Sequence, residues 1–258
     1  MRAMANYSRL AAGFMFCIMM PTILSAQEVG SYLSSKQSKE MLAERPAIIA
    51  SESNNATDSA TPGQEASETD AILANRVNVD TPSSLVRLGT PDAEITIVEY
   101  TDLQCPYCGT AHTTLKTLLE KYDGTIQIQI KQFPLDFHPL AGPGARYLIA
   151  IALQDPDKAA QFYELVMTNQ RLLNDYGKTF YDGLATALDV DATSLKATLE
   201  SPDVLKIIEK DKAEAEAIKV SGTPTFVING VKVAGAQPLE TFTEIIDKLL
   251  EADATGVE

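Results

Sequence analysis

The sequence predicts an α/β fold in which a block of helices interrupts a small sheet, and three patterns predict it. β-branched residues dominate a predicted strand at 94–100, an amphipathic helix follows, and a second predicted strand at 125–133 alternates in period two. Helical patterns fill roughly residues 145–219. Two further predicted strands then flank Asn229-Gly230, a hairpin turn signal, and an amphipathic helix closes the chain. A strand, a helix and a strand in succession favour a parallel crossover unit, so the predicted order is β-α-β, helices, then β-β-α.

Residues 1–26 have the pattern of a secretory signal peptide. Arg2 and Arg9 form a basic head without any acidic residue, and an apolar run from Leu10 to Leu24 follows. Small residues close the segment, so we predict cleavage after Ala26. The apolar run is shorter than the ~20 residues that a membrane-spanning helix needs, which argues against an uncleaved anchor. The predicted localisation is therefore the periplasm or another extracytoplasmic compartment.

Residues 27–80 form a predicted N-terminal extension. Its stretch 50–70 contains no aromatic residue, no Leu, Ile, Val or Met, and no Lys or Arg, which predicts a disordered linker. Residues 27–49 carry a few apolar side chains that could form a short helix and a small association surface, namely Val29, Tyr32, Leu33, Met41 and Leu42. Two hypotheses stay open: a homo-oligomer assembled through the extension, and a disordered tether.

The stretch "YTDLQCPYCGTAH", residues 100–112, places Cys105 and Cys108 two residues apart. The third cysteine of the chain, Cys17, lies in the predicted signal peptide, so Cys105 and Cys108 are the only cysteines of the predicted mature protein. A disulfide between residues three apart closes too small a loop to stabilise a fold appreciably. The pattern therefore favours a reactive dithiol over a structural disulfide.

The predicted helix begins at this motif, which predicts different chemistry for the two cysteines. Cys105 lies where a strand turns into a helix, so unpaired backbone N–H groups and the positive end of the helix dipole should stabilise its thiolate. Pro106 suits the first helical turn. Cys108 follows one turn later and deeper, which is the position of a resolving thiol. We therefore expect Cys105 to be the nucleophile.

The remaining elements follow from turn signals and helical periodicity. The stretch "FPLDFHPLAGPG" is predicted as a loop, and the helical block is predicted to break near Asp155-Pro156, 174–177 and Ser201-Pro202. Pro238 opens the closing helix, whose apolar face is predicted to contain Phe242, Ile245, Ile246, Leu249 and Leu250.

Three motifs in this order, "VEYTDLQCPYC", "FPLDFHPLA" and "VSGTPTFVING", resemble the DsbA-like family of exported thiol-disulfide oxidoreductases. The resemblance runs from about Leu85 to Leu250. It implies a thioredoxin-like fold with an inserted helical domain, here a domain at 81–258 with an insertion at about 139–219. It also implies that no bound cofactor or metal is needed, because the two cysteines are themselves the redox centre.

The resemblance further implies roles for residues around the dithiol. Glu99 corresponds to a buried acid that assists proton transfer from the resolving thiol, and burial should raise its pKa toward the working pH. The alternative from strand alternation alone is an exposed glutamate at a strand end. Thr223-Pro224 should contain a cis peptide bond and face the cysteines, where the Thr223 backbone can pair with an extended substrate.

Pro106 and Tyr107, between the cysteines, are assigned to the same substrate-binding surface. The strongest oxidants of the family carry a histidine at the position of Tyr107, so this chain should be a less extreme oxidant. Asp102, three residues before Cys105, is interpreted as a loop or capping acid.

The predicted function is disulfide formation or rearrangement in exported proteins with cysteines, with a membrane redox partner that resets the dithiol. An oligomeric disulfide isomerase or reductase is the alternative, and a binding-only chaperone is a further one. A metal-binding protein using Cys105 and Cys108 is a remote alternative: His112 and His138 complete a Cys2His2 set in number, but the spacing matches no common zinc motif. Nucleic-acid binding is disfavoured, because the net charge is −14 and no basic face is visible.

Overall fold

The sheet places the cysteines at the end of a central strand. The structure, a computed structural model, describes residues 76–81 and 84–255. Within these ranges five strands form one sheet in the spatial order β1-β3-β2-β4-β5, and only β2 and β3 are parallel to each other. The strands are β1 (Val86–Gly89), β2 (Ile95–Thr101), β3 (Ile126–Gln132), β4 (Thr225–Ile228) and β5 (Val231–Ala234).

Eight helices complete this part of the chain. They are α1 (Pro106–Lys121), α2 (Ala141–Ala152), α3 (Pro156–Thr168), α4 (Gln170–Tyr176), α5 (Lys178–Ala187), α6 (Ala192–Thr198), α7 (Pro202–Ala217) and α8 (Leu239–Thr255). Helix α1 connects the parallel strands β2 and β3, and α2 to α7 lie between β3 and β4. The predicted order of β-α-β, helices and β-β-α is therefore confirmed, although the short edge strand β1 was not predicted. The stretch 133–144 was predicted as a loop, but α2 begins within it at Ala141, because Gly and Pro are tolerated in the first turn of a helix.

Strand β3 is buried on both of its faces. Its apolar residues face the main core, and Gln127, Gln129 and Lys131 on the other face are also buried. Helix α7 covers that second face, where Ala215 packs with Val98 of β2 in a smaller apolar cluster. Alternation in sequence marks two faces of a strand, but a helix that packs on the polar face buries both of them.

The β4–β5 hairpin turns at Asn229-Gly230, as predicted. Both residues have a positive φ, 42° and 92°, which a two-residue hairpin turn requires and which Asn and Gly tolerate best. The Asn229 side chain accepts a hydrogen bond from the Thr96 backbone N–H at 2.7 Å, which fixes the hairpin against β2. Because Thr225 pairs with Tyr100, the chain segment just before β4 lies beside the end of β2.

Residues 76–80 contact the sheet although the sequence assigns them to the extension. The Val77 N–H donates to the Gly230 carbonyl at 2.7 Å, and Val77 and Val79 pack against the smaller apolar cluster. The predicted signal peptide at 1–26 and the extension as far as residue 75 lie outside the described residues. None of the helices in the described part is both long enough and apolar enough to span a membrane.

Candidate active site

The dithiol lies at the junction of β2 and α1. Cys105 is the N-cap residue of α1, and its carbonyl accepts hydrogen bonds from the N–H groups of Cys108 and Gly109 at 3.1 and 3.3 Å. Both cysteines are free thiols. Cys105 is 3% exposed and Cys108 is fully buried, so the predicted order of depth is correct, but only a small part of Cys105 reaches the surface.

The surroundings lower the pKa of Cys105. A hydrogen bond from the Cys108 thiol is the largest cause, and the backbone N–H groups of Cys108 and Tyr107 add to it, against the opposing effect of burial. The resulting pKa is about 5, compared with 9.0 for an ordinary cysteine. At neutral pH Cys105 is therefore a thiolate, which is the nucleophilic form and also a good leaving group.

The pKa of Cys108 is shifted in the opposite direction. Burial is the largest cause, and the hydrogen bond to Cys105 together with the negative charges of Glu99 and Cys105 raises the pKa further above its usual range. Cys108 is therefore a protonated thiol that needs a base before it can act as a nucleophile.

Glu99 lies in the central strand β2 and has no exposed surface, which confirms the predicted burial. Burial raises its pKa from 4.5 to about 7, the nearby Cys105 charge also raises it, and a hydrogen bond from Tyr163 opposes the shift. The Tyr163 hydroxyl donates to Glu99 Oε2 at 2.6 Å. A carboxyl group with a pKa near neutrality can both accept and release a proton at physiological pH.

The Thr223-Pro224 peptide bond is cis, as predicted. The segment lies directly beside the dithiol, and Cys105 Sγ is 3.4 Å from the Thr223 carbonyl oxygen. Directly after Cys105 in the chain, Pro106 is exposed and Tyr107 is 67% exposed. Of the four residues predicted to bind substrate, Pro106 and Tyr107 are exposed beside Cys105 in the chain, Thr223 is partly exposed and Pro224 is buried.

Asp102 holds the loop before the dithiol against the loop that follows β3. Its carboxylate accepts hydrogen bonds from the backbone N–H groups of Gln104 and Leu135 at 2.8 and 3.0 Å. The same carboxylate lies 2.6 Å from Nδ1 of His138. The interpretation of Asp102 as a loop acid fits these contacts.

A sequence profile of the thioredoxin family matches residues 80–248. The chain belongs to the thioredoxin family. A curated relative, the probable disulfide bond formation protein D of Bacillus cereus, is 31% identical over 157 residues, which are 55% of this chain and 69% of that protein. These findings confirm the resemblance to DsbA-like oxidoreductases.

Two more comparisons place this thioredoxin-family chain among known proteins. The structure of alpha-DsbA1 from Wolbachia pipientis has the same fold, with a TM-score of 0.58 and 24% identity, covering 67% of this chain and 94% of that one. The Na(+)/H(+) antiporter NhaA of Herminiimonas arsenicoxydans is 30% identical over 159 residues, or 62% of this chain. The chain spans only 24% of that antiporter's length.

Two residues of the thioredoxin-family site, Tyr163 and Gln170, were not predicted from the sequence. The Gln170 carboxamide donates to the carbonyls of Leu103 and Cys105 at 3.1 and 2.8 Å, and so fixes the start of α1. A Cβ at Gly109 would lie 2.4 Å from Gln170 Oε1, so a larger residue there would force the carboxamide to move. Both side chains come from the helical block and are remote in sequence from the dithiol, and no local pattern marks them.

The histidines are held in separate environments. His112 is buried on α1, where its ring meets the Tyr163 ring edge to face with centroids 5.4 Å apart, and burial lowers its pKa to about 4. His138 is paired with Asp102. Over residues 76–81 and 84–255 no three His, Cys, Asp or Glu side chains are grouped as a metal ion would require.

Proposed function

We propose that the chain is an exported thiol-disulfide oxidoreductase that forms or rearranges disulfide bonds in other exported proteins through Cys105 and Cys108. The observation that carries the proposal is the opposite shift of the two thiol pKa values beside the Thr223 carbonyl. The name of the Bacillus relative, a probable disulfide bond formation protein, supports the same function.

In the oxidising direction, a substrate thiolate attacks Cys105 of the Cys105–Cys108 disulfide. A mixed disulfide forms at Cys105, and Cys108 leaves as a thiolate that takes a proton from Glu99. A second substrate thiolate then attacks the substrate sulfur of the mixed disulfide, so the substrate disulfide forms and Cys105 leaves as a thiolate. The low pKa of Cys105 makes it a good leaving group and stabilises the reduced enzyme, which favours oxidation of the substrate.

In the rearranging direction, the Cys105 thiolate attacks a substrate disulfide and releases one substrate thiolate. Rearrangement is complete when a different substrate thiolate attacks the substrate sulfur of this adduct, so that a new substrate disulfide forms and Cys105 leaves as a thiolate. When Cys108 resolves the adduct instead, its proton passes to Glu99 and its sulfur attacks Cys105, so that the substrate leaves reduced. Pro106, Tyr107, Thr223 and Pro224 are proposed to bind the substrate segment next to Cys105. The exposure of Pro106 and Tyr107, and the 3.4 Å between Cys105 Sγ and the Thr223 carbonyl before the cis bond, support this proposal.

The location and partners belong to the same proposal. The signal pattern of residues 1–26 supports export to the periplasm or another extracytoplasmic compartment. Repeated oxidation of substrates leaves the dithiol reduced, so a partner must reoxidise it, and we propose a membrane redox protein in that role.

An oligomeric isomerase or reductase is the second candidate. Tyr107 stands where the strongest oxidants of the family have a histidine, and the sequence of 27–49 contains the apolar residues from which we propose an association surface. Several dithiols held around one substrate would favour rearrangement over oxidation.

The central test is replacement of Cys108 by Ser. We expect Cys108→Ser to accumulate mixed disulfides with substrate proteins, because Cys105 remains reactive but no thiol resolves the adduct. Cys105→Ser is the matched control and should accumulate none. Non-reducing electrophoresis with mass spectrometry measures the adducts. Adducts on Cys105→Ser alone would mean that the roles are reversed, and adducts on neither variant would refute the proposed chemistry.

A further inference from the structure

Tyr163 connects the helical block to the acid beneath the dithiol. It lies on α3, is fully buried, and donates its hydroxyl hydrogen to Glu99 Oε2 at 2.6 Å. The ring of Tyr163 packs edge to face against the ring of His112 on α1, with an interplanar angle of 82°. The hydroxyl is therefore aimed at Glu99 by packing on two helices, α1 and α3.

This contact makes the two oxygens of Glu99 unequal. Oε2 accepts the Tyr163 hydrogen bond, whereas Oε1 is buried and makes no hydrogen bond of normal geometry with the described residues. The Thr101 hydroxyl, which also makes no hydrogen bond of normal geometry there, is near enough to Glu99 to lower its pKa. A buried carboxylate oxygen without a donor is costly, and such an atom in a native structure calls for an explanation. Cys108, also fully buried, is close enough for its pKa to respond to the Glu99 charge.

We propose that Tyr163 is a positioning residue for the dithiol chemistry, which binds Oε2 of Glu99 so that Oε1 remains the atom that exchanges a proton with Cys108. The inference rests on the proposed function, in which Glu99 is the acid and base for Cys108. When Cys108 resolves an adduct on Cys105, its proton moves to Oε1, the Cys108–Cys105 bond forms, and the substrate sulfur leaves with the electron pair of the broken bond. Tyr163 keeps its own proton throughout.

The charges around Tyr163 are consistent with this role. Burial and the Glu99 charge raise the pKa of Tyr163 well above its usual range, so the hydroxyl stays a donor. His112 has a pKa of about 4 and is neutral during the reaction. The other titratable groups that act on the Tyr163–Glu99 pair are Cys105, Cys108 and Glu164.

The test compares Tyr163→Phe with Tyr147→Phe in the full chain. Tyr147 is a matched control, because it is also a buried tyrosine of the helical block that donates to a carboxylate, here Asp182 instead of Glu99. Its ring neighbours are Phe162 and Tyr181. The measurement is the rate at which Cys108 releases glutathione from a glutathione adduct on Cys105, followed by rapid quenching and mass spectrometry across pH.

We expect the normal protein to reach half its maximal rate somewhat below the Glu99 pKa of about 7 in the reduced protein, because the adduct removes the Cys105 charge that helps to raise this pKa. Loss of one hydrogen bond to the charged carboxylate should move this midpoint upward by about one pH unit in Tyr163→Phe. The rate at the pH of the normal midpoint should then fall about fivefold and recover at higher pH. Tyr147→Phe should keep the normal midpoint even if it unfolds more easily.

A midpoint in Tyr163→Phe that equals that of Tyr147→Phe would overturn the inference, since a purely structural tyrosine would give that result. If Tyr163→Phe does not fold, a ring-fluorinated tyrosine at position 163 preserves the shape and strengthens the donor. Its midpoint should move downward, and an unchanged midpoint would again overturn the inference.

Glu99→Gln separates this inference from the proposed function. If Glu99→Gln leaves the pH profile unchanged, the proposed role of Glu99 fails, and the Tyr163 inference fails with it. If Glu99→Gln abolishes the pH dependence of the rate while Tyr163→Phe leaves its midpoint unchanged, the inference alone fails. If the proposed role of Glu99 and the inference about Tyr163 are both correct, the double variant should have the same pH profile as Glu99→Gln alone.

Discussion

Glu99 is a carboxylic acid in the middle of the sheet with no exposed surface, and its burial has a consequence for stability. Its pKa is 4.5 in the unfolded chain and about 7 in the folded protein. Below the lower value the group is neutral in both states and contributes nothing. Between the two values folding requires it to hold a proton, so the free energy of unfolding falls as the pH rises toward the folded pKa.

Replacement of Glu99 by Gln should therefore stabilise the reduced protein. The gain should be about 3 kcal/mol above the folded pKa, because the neutral amide avoids the cost of the buried charge while still accepting the Tyr163 hydrogen bond. No gain is expected below the unfolded pKa. Urea unfolding of both proteins at an acidic and an alkaline pH measures the difference, and equal stability at alkaline pH would contradict it.

Residues of the site were predictable from the sequence only where a local pattern marks them. The dithiol, Glu99 and the cis Thr223-Pro224 bond stand in short motifs at strand ends, and the structure brings them together. Tyr163 and Gln170 reach the site from helices far along the chain. A buried tyrosine in a helix is usually core, and its sequence does not reveal which carboxylate its hydroxyl meets.

At the scale of elements, α1 depends on α4 for the geometry of its first turn. As a thiol, the N-cap residue Cys105 makes no side-chain capping hydrogen bond of normal geometry, and the N–H groups of Tyr107 and Cys108 act on its sulfur by stabilising the thiolate. Gln170 instead donates to the carbonyls of Leu103 and Cys105 from outside the helix. The helical block thus fixes the position of the nucleophile as well as that of the acid.

Replacement of Gln170 by Leu should lower the free energy of unfolding of the reduced protein by about 1–3 kcal/mol, because two backbone carbonyls lose a donor. Gln161→Leu is the control, since Gln161 is an exposed glutamine on α3 and should change stability by less than about 0.5 kcal/mol. Urea unfolding measures both variants. A Gln170→Leu protein as stable as the control would show that Gln170 does not hold α1.

Element prediction succeeded where a pattern was long and failed where it was short or depended on a partner. The helices and the order of the long strands follow from periodicity and turn residues. Strand β1 has only four residues and gives almost no alternation. The burial of Lys131 on β3 depends on α7, whose Glu214 forms an ion pair with it, and no local sequence contains that information.

At the scale of the whole molecule, residues 76–80, which precede the domain, are held to it by hydrogen bonds and an ion pair as well as by the chain. The Asp80 backbone N–H donates to Glu214 at 2.9 Å, and the Asp80 carbonyl accepts from the buried Lys131 at 2.8 Å. Lys210 pairs with the Asp80 side chain at 2.8 Å. A shortened chain must therefore keep residues 76–80, since removal of their contacts, including two half-buried valines, should cost about 2 kcal/mol.

A chain that starts at residue 76 should be monomeric and should oxidise a dithiol peptide as fast as the chain that starts at residue 27, because every group of the site lies within the shorter chain. Light scattering and refolding of scrambled ribonuclease, run on both chains, separate the two candidate functions.

If the extension associates, the longer chain will scatter as an oligomer, and removal of residues 27–75 will abolish both assembly and isomerase activity while oxidation remains. Monomers in both cases with equal refolding activity would leave a monomeric oxidase, since no assembly would then hold several dithiols around one substrate. Loss of oxidation in the shorter chain, with its fold intact, would contradict the placement of the whole site in the domain.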